Sequence, residues 1–112
     1  MTGCVFCRIV AKEIPSTVVN ETEQTIVVKD INPQAPTHLL VIPRAHYSTL
    51  LDCGDDALLA EMMATARDTA QKLGIGKSGF RLVVNTNEGG GQTVFHLHMH
   101  LLGGRALAGR MG

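Results

Sequence analysis

Three histidines, His96, His98 and His100, fall on every second residue near the end of the chain, with Leu97, Met99, Leu101 and Leu102 between and after them. On a β-strand successive side chains point to opposite faces, so this spacing lines three imidazoles along one face and sinks the apolar residues into a core. On a helix the same spacing turns the rings about 200° per step and forms no cluster. The spacing therefore predicts a strand. Core packing gives no reason to place imidazole three times in alternation. Three imidazoles together can ligate a metal, or do acid–base and nucleophilic work near neutral pH.

Two further patterns could join that chemistry. Cys4-Val5-Phe6-Cys7 is a C-x-x-C pair, which in a reducing compartment reads as half a zinc site or as a redox motif. The third cysteine, Cys53, makes the count odd, so no disulfide framework is implied, and it reads as a small apolar residue near a helix start. Gly89-Gly90-Gly91 stands just before the histidines, where glycines let successive N–H groups turn toward an anion. The same run also serves as a plain hairpin loop. Beside three histidines it suggests a phosphate cradle feeding an imidazole, since neutral imidazole attacks phosphorus and a second one can protonate the leaving group.

Several elements must position these groups. Val5, Phe6, Ile9 and Val10 have helical spacing and predict a short helix over residues 4–12, stopped by Pro15. β-Branched runs over 16–20 and 25–29 predict a hairpin, followed by a proline-containing loop over 30–36. The almost continuous apolar run His38–Pro43 predicts a central strand buried on both faces. Leu58, Leu59, Met62, Met63, Ala66, Ala70 and Leu73 recur at three and four residues, marking one face of a helix of about five turns. Asp55 and Asp56 at its start and Gly74 past its end suit the helix dipole and C-cap, and the Met pair reads as core filler. Residues 80–85 predict a further strand, and 103–112 a tail with little pattern. The expected architecture is α+β: one domain over 1–112, an antiparallel sheet of about five strands, one long helix and one short one.

Composition narrows the function class. A 112-residue chain with 45% hydrophobic and 18% charged residues is a globular domain rather than a disordered segment. Ten Lys plus Arg balance ten Asp plus Glu, so no basic excess is available to grip nucleic acid or an anionic membrane. Any phosphate bound here must be held by backbone N–H groups and histidines. No apolar run approaches the roughly 20 residues of a membrane span, and no basic segment followed by an apolar core opens the chain. The expectation is a cytoplasmic protein with no membrane or nucleic-acid partner.

His96-Leu97-His98-Met99-His100-Leu101-Leu102 resembles the histidine-triad motif of nucleotide-binding hydrolases and transferases. The likeness extends to Cys4–Pro15, Asp30–His38, Val41–Pro43 and Val84-Asn85 through Gly91-Gln92-Thr93, where the Hint branch of that superfamily has equivalents. It covers nearly the whole chain except the tail. The resemblance implies that His98 is the nucleophile toward the α-phosphorus of a nucleoside 5′-monophosphate derivative, giving a nucleotidyl-histidine that water opens. It implies that His100, with His38 behind it, orients the imidazoles and manages the proton, while His96 helps hold the cluster. Asn85, Gly91, Gln92 and Thr93 would position the α-phosphate and leaving group, with Thr93 standing where serine is commoner. Asp30 would accept both ribose hydroxyls, which suits its two acceptor oxygens. Phe6, Ile9 and Ile31 would form the purine slot. The bland alternatives are plain core roles for those three, and a loop cap for Asp30.

Some members of the wider superfamily carry a structural zinc on a C-x-x-C pair, a downstream histidine and the first triad histidine. Cys4, Cys7, His46 and His96 are the corresponding residues, and other Hint members lack the cysteines, so zinc would have no part in catalysis. The branch also implies a homodimer that joins two sheets into one of ten strands. Where the family often has a tryptophan–proline segment, this tail reads Gly104-Arg105-Ala106-Leu107-Ala108-Gly109-Arg110-Met111-Gly112.

The function implied is hydrolysis of the P–N bond of purine nucleoside 5′-phosphoramidates, with aminoacyl-adenylates as further substrates. Three alternatives stand beside it: a dinucleoside polyphosphate hydrolase, a zinc-dependent hydrolase ligated by triad histidines, and a non-catalytic nucleotide-binding regulator. A nucleophilic His98 must be neutral, so transfer should fall as pH drops below the imidazole range.

Overall fold

Five strands, β1 (Val18–Glu21), β2 (Thr25–Lys29), β3 (Thr37–Pro43), β4 (Phe80–Val83) and β5 (Met99–Gly103), form one antiparallel sheet in the order β1-β2-β3-β5-β4. The computed structural model describes residues 3–111. Helix α1 (Val5–Val10) and helix α2 (Asp56–Lys72) flank the sheet. The expected α+β architecture is what the chain adopts. No helix among the described residues is long and apolar enough to cross a membrane.

The continuous apolar run of β3 is central because it has a ladder partner on each edge and packing on each face. Val27, Leu39, Val41, Leu97, Met99 and Leu101 pack beneath Leu58, Met62, Ala66 and Ala70 of α2. Ile26, Val28, Leu40 and Ile42 pack on the other face with Phe6 of α1. The strand period of two then decides where the imidazoles go. Odd residues of β5 face α2, and the even ones, with His38 of β3, face the α1 side.

The triad is only partly on a strand. β5 begins at Met99, and His96, Leu97 and His98 precede it. The β3–β5 register pairs Val41 with Met99, so continuing the ladder would set Leu97 opposite Pro43, which has no N–H to give. The Leu97 N–H bonds the Tyr47 carbonyl instead, at 2.6 Å. Alternation nonetheless persists, with Leu97 in the α2-side core and the imidazoles on the opposite face.

Helix α1 stops earlier than its proline. Lys12 takes φ 61°, and its N–H bonds Ile9 O at 3.0 Å while Glu13 N–H bonds Arg8 O at 2.9 Å, a Schellman ending three residues before Pro15. Helix α2 has the expected ends, with Asp55 accepting from the Leu58 N–H at 3.0 Å and Gly74 at φ 77°. Its buried face is rotated from the expected one. Met62, Thr65, Ala66 and Thr69 are buried, whereas Met63 is 52% exposed and so is not core filler. Hydrogen bonds cause the rotation: Asn20 Nδ2 donates to Thr69 Oγ1 at 3.1 Å, and the Glu61 carboxylate accepts from the hydroxyls of Thr22 and Thr25. The tail is held by Arg81 Nη2 on Ala108 O at 2.6 Å, and its last residue, Gly112, lies outside the described residues.

Candidate functional site

His98 and His100 stand side by side with ring centroids 5.0 Å apart, and His38 lies 5.2 Å from His100. Their hydrogen bonds fix which nitrogens carry protons, because a backbone carbonyl only accepts and a backbone N–H only donates. His98 Nδ1 is 2.8 Å from His96 O, so it donates, and Nε2 holds a lone pair. His38 Nδ1 accepts from the Gln34 N–H at 3.0 Å, so the neutral ring carries its proton on Nε2. That N–H lies 2.9 Å from His100 Nδ1 and 3.3 Å from Asp30 Oδ2. His100 Nδ1 therefore accepts, and its own proton sits on Nε2. The sequence of bonds leaves one bare imidazole nitrogen and one N–H donor on neighbouring rings.

Both rings line a cavity of about 350 Å³ with Phe6, Ile9, Ile31, Val28, Leu40 and Val94 on its apolar walls and Asp30 and Thr93 among its polar groups. Phe6 meets His98 edge-on at 4.9 Å, a contact worth about 0.5–1.5 kcal/mol beyond area burial. Phe6 is thus both core and wall, while Ile31 is 93% exposed at the rim. Asp30 also does what a loop cap does, since Oδ1 accepts from the Asn32 N–H at 2.8 Å. Its Oδ2 faces His38. A second cavity of about 330 Å³ lies beyond Asp30 and His38, lined by Lys29, Thr37, Leu39 and Leu73, and the triad rings do not line it.

The glycine loop reaches the cavity through its last residues. Asn85, Gly91 and Gln92 are not among the residues lining the cavity; Thr93 is. Gln92 is buried, and its amide is engaged by the protein: Oε1 accepts from Asn87 N–H at 2.8 Å, and Nε2 donates to Ser48 O at 2.8 Å and Val94 O at 3.0 Å. Its side chain therefore clamps the loop. Gly91 takes φ 83°, and Asn87 takes φ 60° with ψ 179°, a region that costs a side-chain-bearing residue about 1–3 kcal/mol. No buried side-chain nitrogen or oxygen among the described residues lacks a hydrogen-bond partner.

Cys4, Cys7, His46 and His96 come together as the four-residue set expected from the sequence, a candidate Cys2His2 metal centre. From His96 Nδ1, Cys4 Sγ is 3.4 Å away, Cys7 Sγ 3.5 Å and His46 Nδ1 3.1 Å, and Cys7 Sγ is 3.2 Å from His46 Nδ1. Tetrahedral zinc, with bonds of about 2.3 Å to sulfur and 2.0–2.1 Å to nitrogen, needs similar edges of roughly 3.3–3.8 Å. His96 Nε2 donates to Pro43 O at 2.8 Å, which leaves the Nδ1 lone pair for a metal. The donor set fits zinc. A second group of metal-ligating types, Asp30, His38 and His100, is wired the opposite way. There the Gln34 N–H occupies the His38 Nδ1 lone pair and places a proton on the nitrogen that would have to ligate. That group is built to carry a proton.

Burial favours the neutral forms of His96, His98 and His100. It lowers His98, against the His96 carbonyl bond and the Asp30 charge. It pushes His100 down to about 4, helped by His98 and His38 and opposed by Asp30. His96 is likewise lowered by burial, and burial with the neighbouring Cys4 raises the Cys7 thiol. The neutral forms thus extend below the ordinary imidazole range, further into acid than the sequence suggests. Sequence reasoning missed Gln34 and Pro43, which act through a backbone N–H and a carbonyl, and it named His96 for its ring but not for the carbonyl that fixes His98. Gln92 was picked out, but for the substrate rather than for the loop.

Comparison with known proteins bears on this site. The family model described as the HIT domain matches residues 11–107. The chain is 44% identical over 105 residues to the purine nucleoside phosphoramidase of Escherichia coli K12, covering 92% of this chain and 88% of that one. A HIT family hydrolase from Legionella pneumophila superposes with a TM-score of 0.94 at 49% identity, covering 98% of this chain and all of that one. A zinc-bound histidine triad family protein from Mycobacterium smegmatis gives a TM-score of 0.82 at 32% identity, covering 93% and 76% respectively.

Proposed function

The chain belongs to the HIT domain family, and on that premise we propose that it hydrolyses the P–N bond of purine nucleoside 5′-phosphoramidates through a nucleotide held covalently on His98. The observation that carries the reading is the pair of neighbouring rings on the cavity, a bare Nε2 on His98 and an Nε2–H on His100. The name of the Escherichia coli relative, 44% identical, supports the substrate class.

In this reading His98 Nε2 attacks the α-phosphorus and the P–N bond breaks toward the leaving nitrogen, which the His100 Nε2–H hydrogen-bonds while it takes up a proton from solvent. The His98 Nδ1–H stays on the His96 carbonyl, which steadies the charge the ring acquires. Water then attacks the phosphorus, loses its proton to solvent and releases the nucleoside monophosphate, so the histidines end as they began. His38 holds His100 in the tautomer that can donate. Asp30 takes the ribose hydroxyls, Phe6, Ile9 and Ile31 the purine, and Thr93 the phosphate, all from the cavity wall.

Zn2+ on Cys4, Cys7, His46 and His96 belongs to the same proposal. Bound there, it supplies a cross-link between α1 and the segment leading into β5. Cys4 also caps α1, accepting from the Cys7 N–H at 3.4 Å, so the metal would brace the helix that carries Phe6 and Ile9. The chain is further proposed to be a homodimer joined through β4 into a ten-stranded sheet. In the described residues β4 pairs on one side only, and all four of its residues are half-buried. Sedimentation at dimer mass is expected, and a monomer at micromolar concentration would overturn that part.

The catalytic reading is tested by hydrolysis of adenosine 5′-phosphoramidate by wild type and His98→Ala, with and without chelator. Turnover should resist chelator and fall at least about a thousandfold in the variant. Turnover that survives in His98→Ala, or that chelator abolishes while the fold is intact, would overturn it, the latter in favour of a metal hydrolase.

A further inference from the structure

A hydrogen-bonded path leads from the tail to the proton relay. Just past β5, Arg105 Nη2 donates to the Gln34 carbonyl at 2.8 Å, although both residues are exposed. Gln34 is the residue whose N–H, at 3.0 Å, occupies His38 Nδ1. Its side chain bonds Asn32 O at 3.1 Å, and the Asn32 N–H bonds Asp30 Oδ1 at 2.8 Å, so the same residue also steadies the carboxylate facing His38. The tail comes close enough for this because Gly104 has no side chain. A Cβ there would lie 3.0 Å from Pro36 Cβ and 3.3 Å from Thr37 N, and its φ of 91° suits glycine.

We infer that Arg105 is a positioning residue for the relay: by holding Gln34 it keeps the Gln34 N–H on His38 Nδ1, and hence the His38 proton on Nε2, directed at His100. The other bonds to Gln34 come from within residues 30–38, so Arg105 is its one tie to the rest of the described chain, in a stretch where Ile31, Asn32, Pro33 and Gln34 are all exposed. Released from Gln34, His38 Nδ1 is open to water and the ring samples both neutral tautomers. The groups that face His38 are Asp30 from the loop after β2, His100 from β5 with His98 beyond it, and Lys29, which lines the cavity next to it. Of these groups none is bonded to Nδ1, so the Gln34 N–H is what keeps that nitrogen bare. The catalytic consequence rests on the function proposed above; the tautomer coupling does not.

The test is nitrogen-15 imidazole NMR on wild type, Arg105→Ala and Arg105→Lys, with kcat and KM for adenosine 5′-phosphoramidate measured across pH. Wild-type His38 should show a single Nε2–H tautomer. In Arg105→Ala it should become a mixture, with kcat lowered roughly three- to tenfold and KM within about twofold. Arg105→Lys keeps a cationic donor and should recover part of each change; it also serves if the alanine variant does not fold. A His38 signal identical to wild type in the folded variant would overturn the inference. Because the NMR needs no substrate, a moved tautomer without any wild-type turnover would fault the proposed reaction and leave the coupling standing. Wild-type turnover with an unmoved tautomer would fault the coupling alone.

Discussion

Gln92 is the side chain whose loss should reshape the site without touching a histidine. Gln92→Ala removes three hydrogen bonds, to Asn87 N–H, Ser48 O and Val94 O, at 2.8, 2.8 and 3.0 Å. At about 1 kcal/mol net each, these contribute roughly 3 kcal/mol. Release of the strained Asn87 backbone, which Gln92 holds at φ 60° and ψ 179°, returns about 1 kcal/mol. The expected destabilisation is therefore about 2 kcal/mol, a fall in Tm of roughly 8 °C for a domain of this size. Denaturant unfolding should show a lower midpoint with an unchanged slope. Because Thr93 and Val94 line the cavity immediately after Gln92, kcat/KM should fall at least about tenfold as those walls drift. Gln92→Glu sharpens the test. The carboxylate keeps the acceptor for Asn87 N–H but faces the Ser48 and Val94 carbonyls with no donor, so its folded pKa is raised. Its stability relative to wild type should be better at acid pH and worsen as pH rises through that raised value. A loss below about 0.5 kcal/mol in Gln92→Ala would refute the clamp.

Asn87→Gly should stabilise the protein by about 1 kcal/mol in the same unfolding assay, since glycine adopts that backbone without strain. Chelation should lower Tm by at least about 10 °C, restored by added Zn2+, while turnover at low temperature persists. Lowered folded-state pKa values at His98 and His100 mean that the unfolded chain binds protons more tightly. Their contribution to stability is then full above about pH 6.5 and is lost as pH falls toward 4, which melting curves between pH 7 and 4 should show. For the same reason kcat/KM should stay level through pH 6 and decline only below the ordinary imidazole range, and a midpoint at 6.5 would contradict the burial argument.

Much of this was legible in residue types. The unbroken apolar run of β3, the Asp55 cap, Gly74 and the alternation of His98, Met99, His100 and Leu101 each have a local cause, and each took the expected place. The start of β5 did not, because it depends on which residue lies opposite: Pro43 is 54 positions from Leu97 in the sequence, and only the register brings its missing N–H into play. The buried face of α2 turned toward Thr65 and Thr69 because Asn20 and the Glu61–threonine cluster needed polar partners across the sheet, which hydrophobic spacing cannot report. The proton arrangement was invisible for a different reason. Backbone groups of Gln34, Pro43 and His96 set the tautomers, and every residue type carries those groups.

The central claim is a covalent nucleotide on His98, and the direct measurement is mass spectrometry of enzyme quenched during turnover of adenosine 5′-phosphoramidate. Wild type should carry an adenylyl mass that maps to His98, forms within the first turnover and disappears as substrate runs out. Turnover without any such adduct, or an adduct on another residue with His98→Ala still active, would contradict the account.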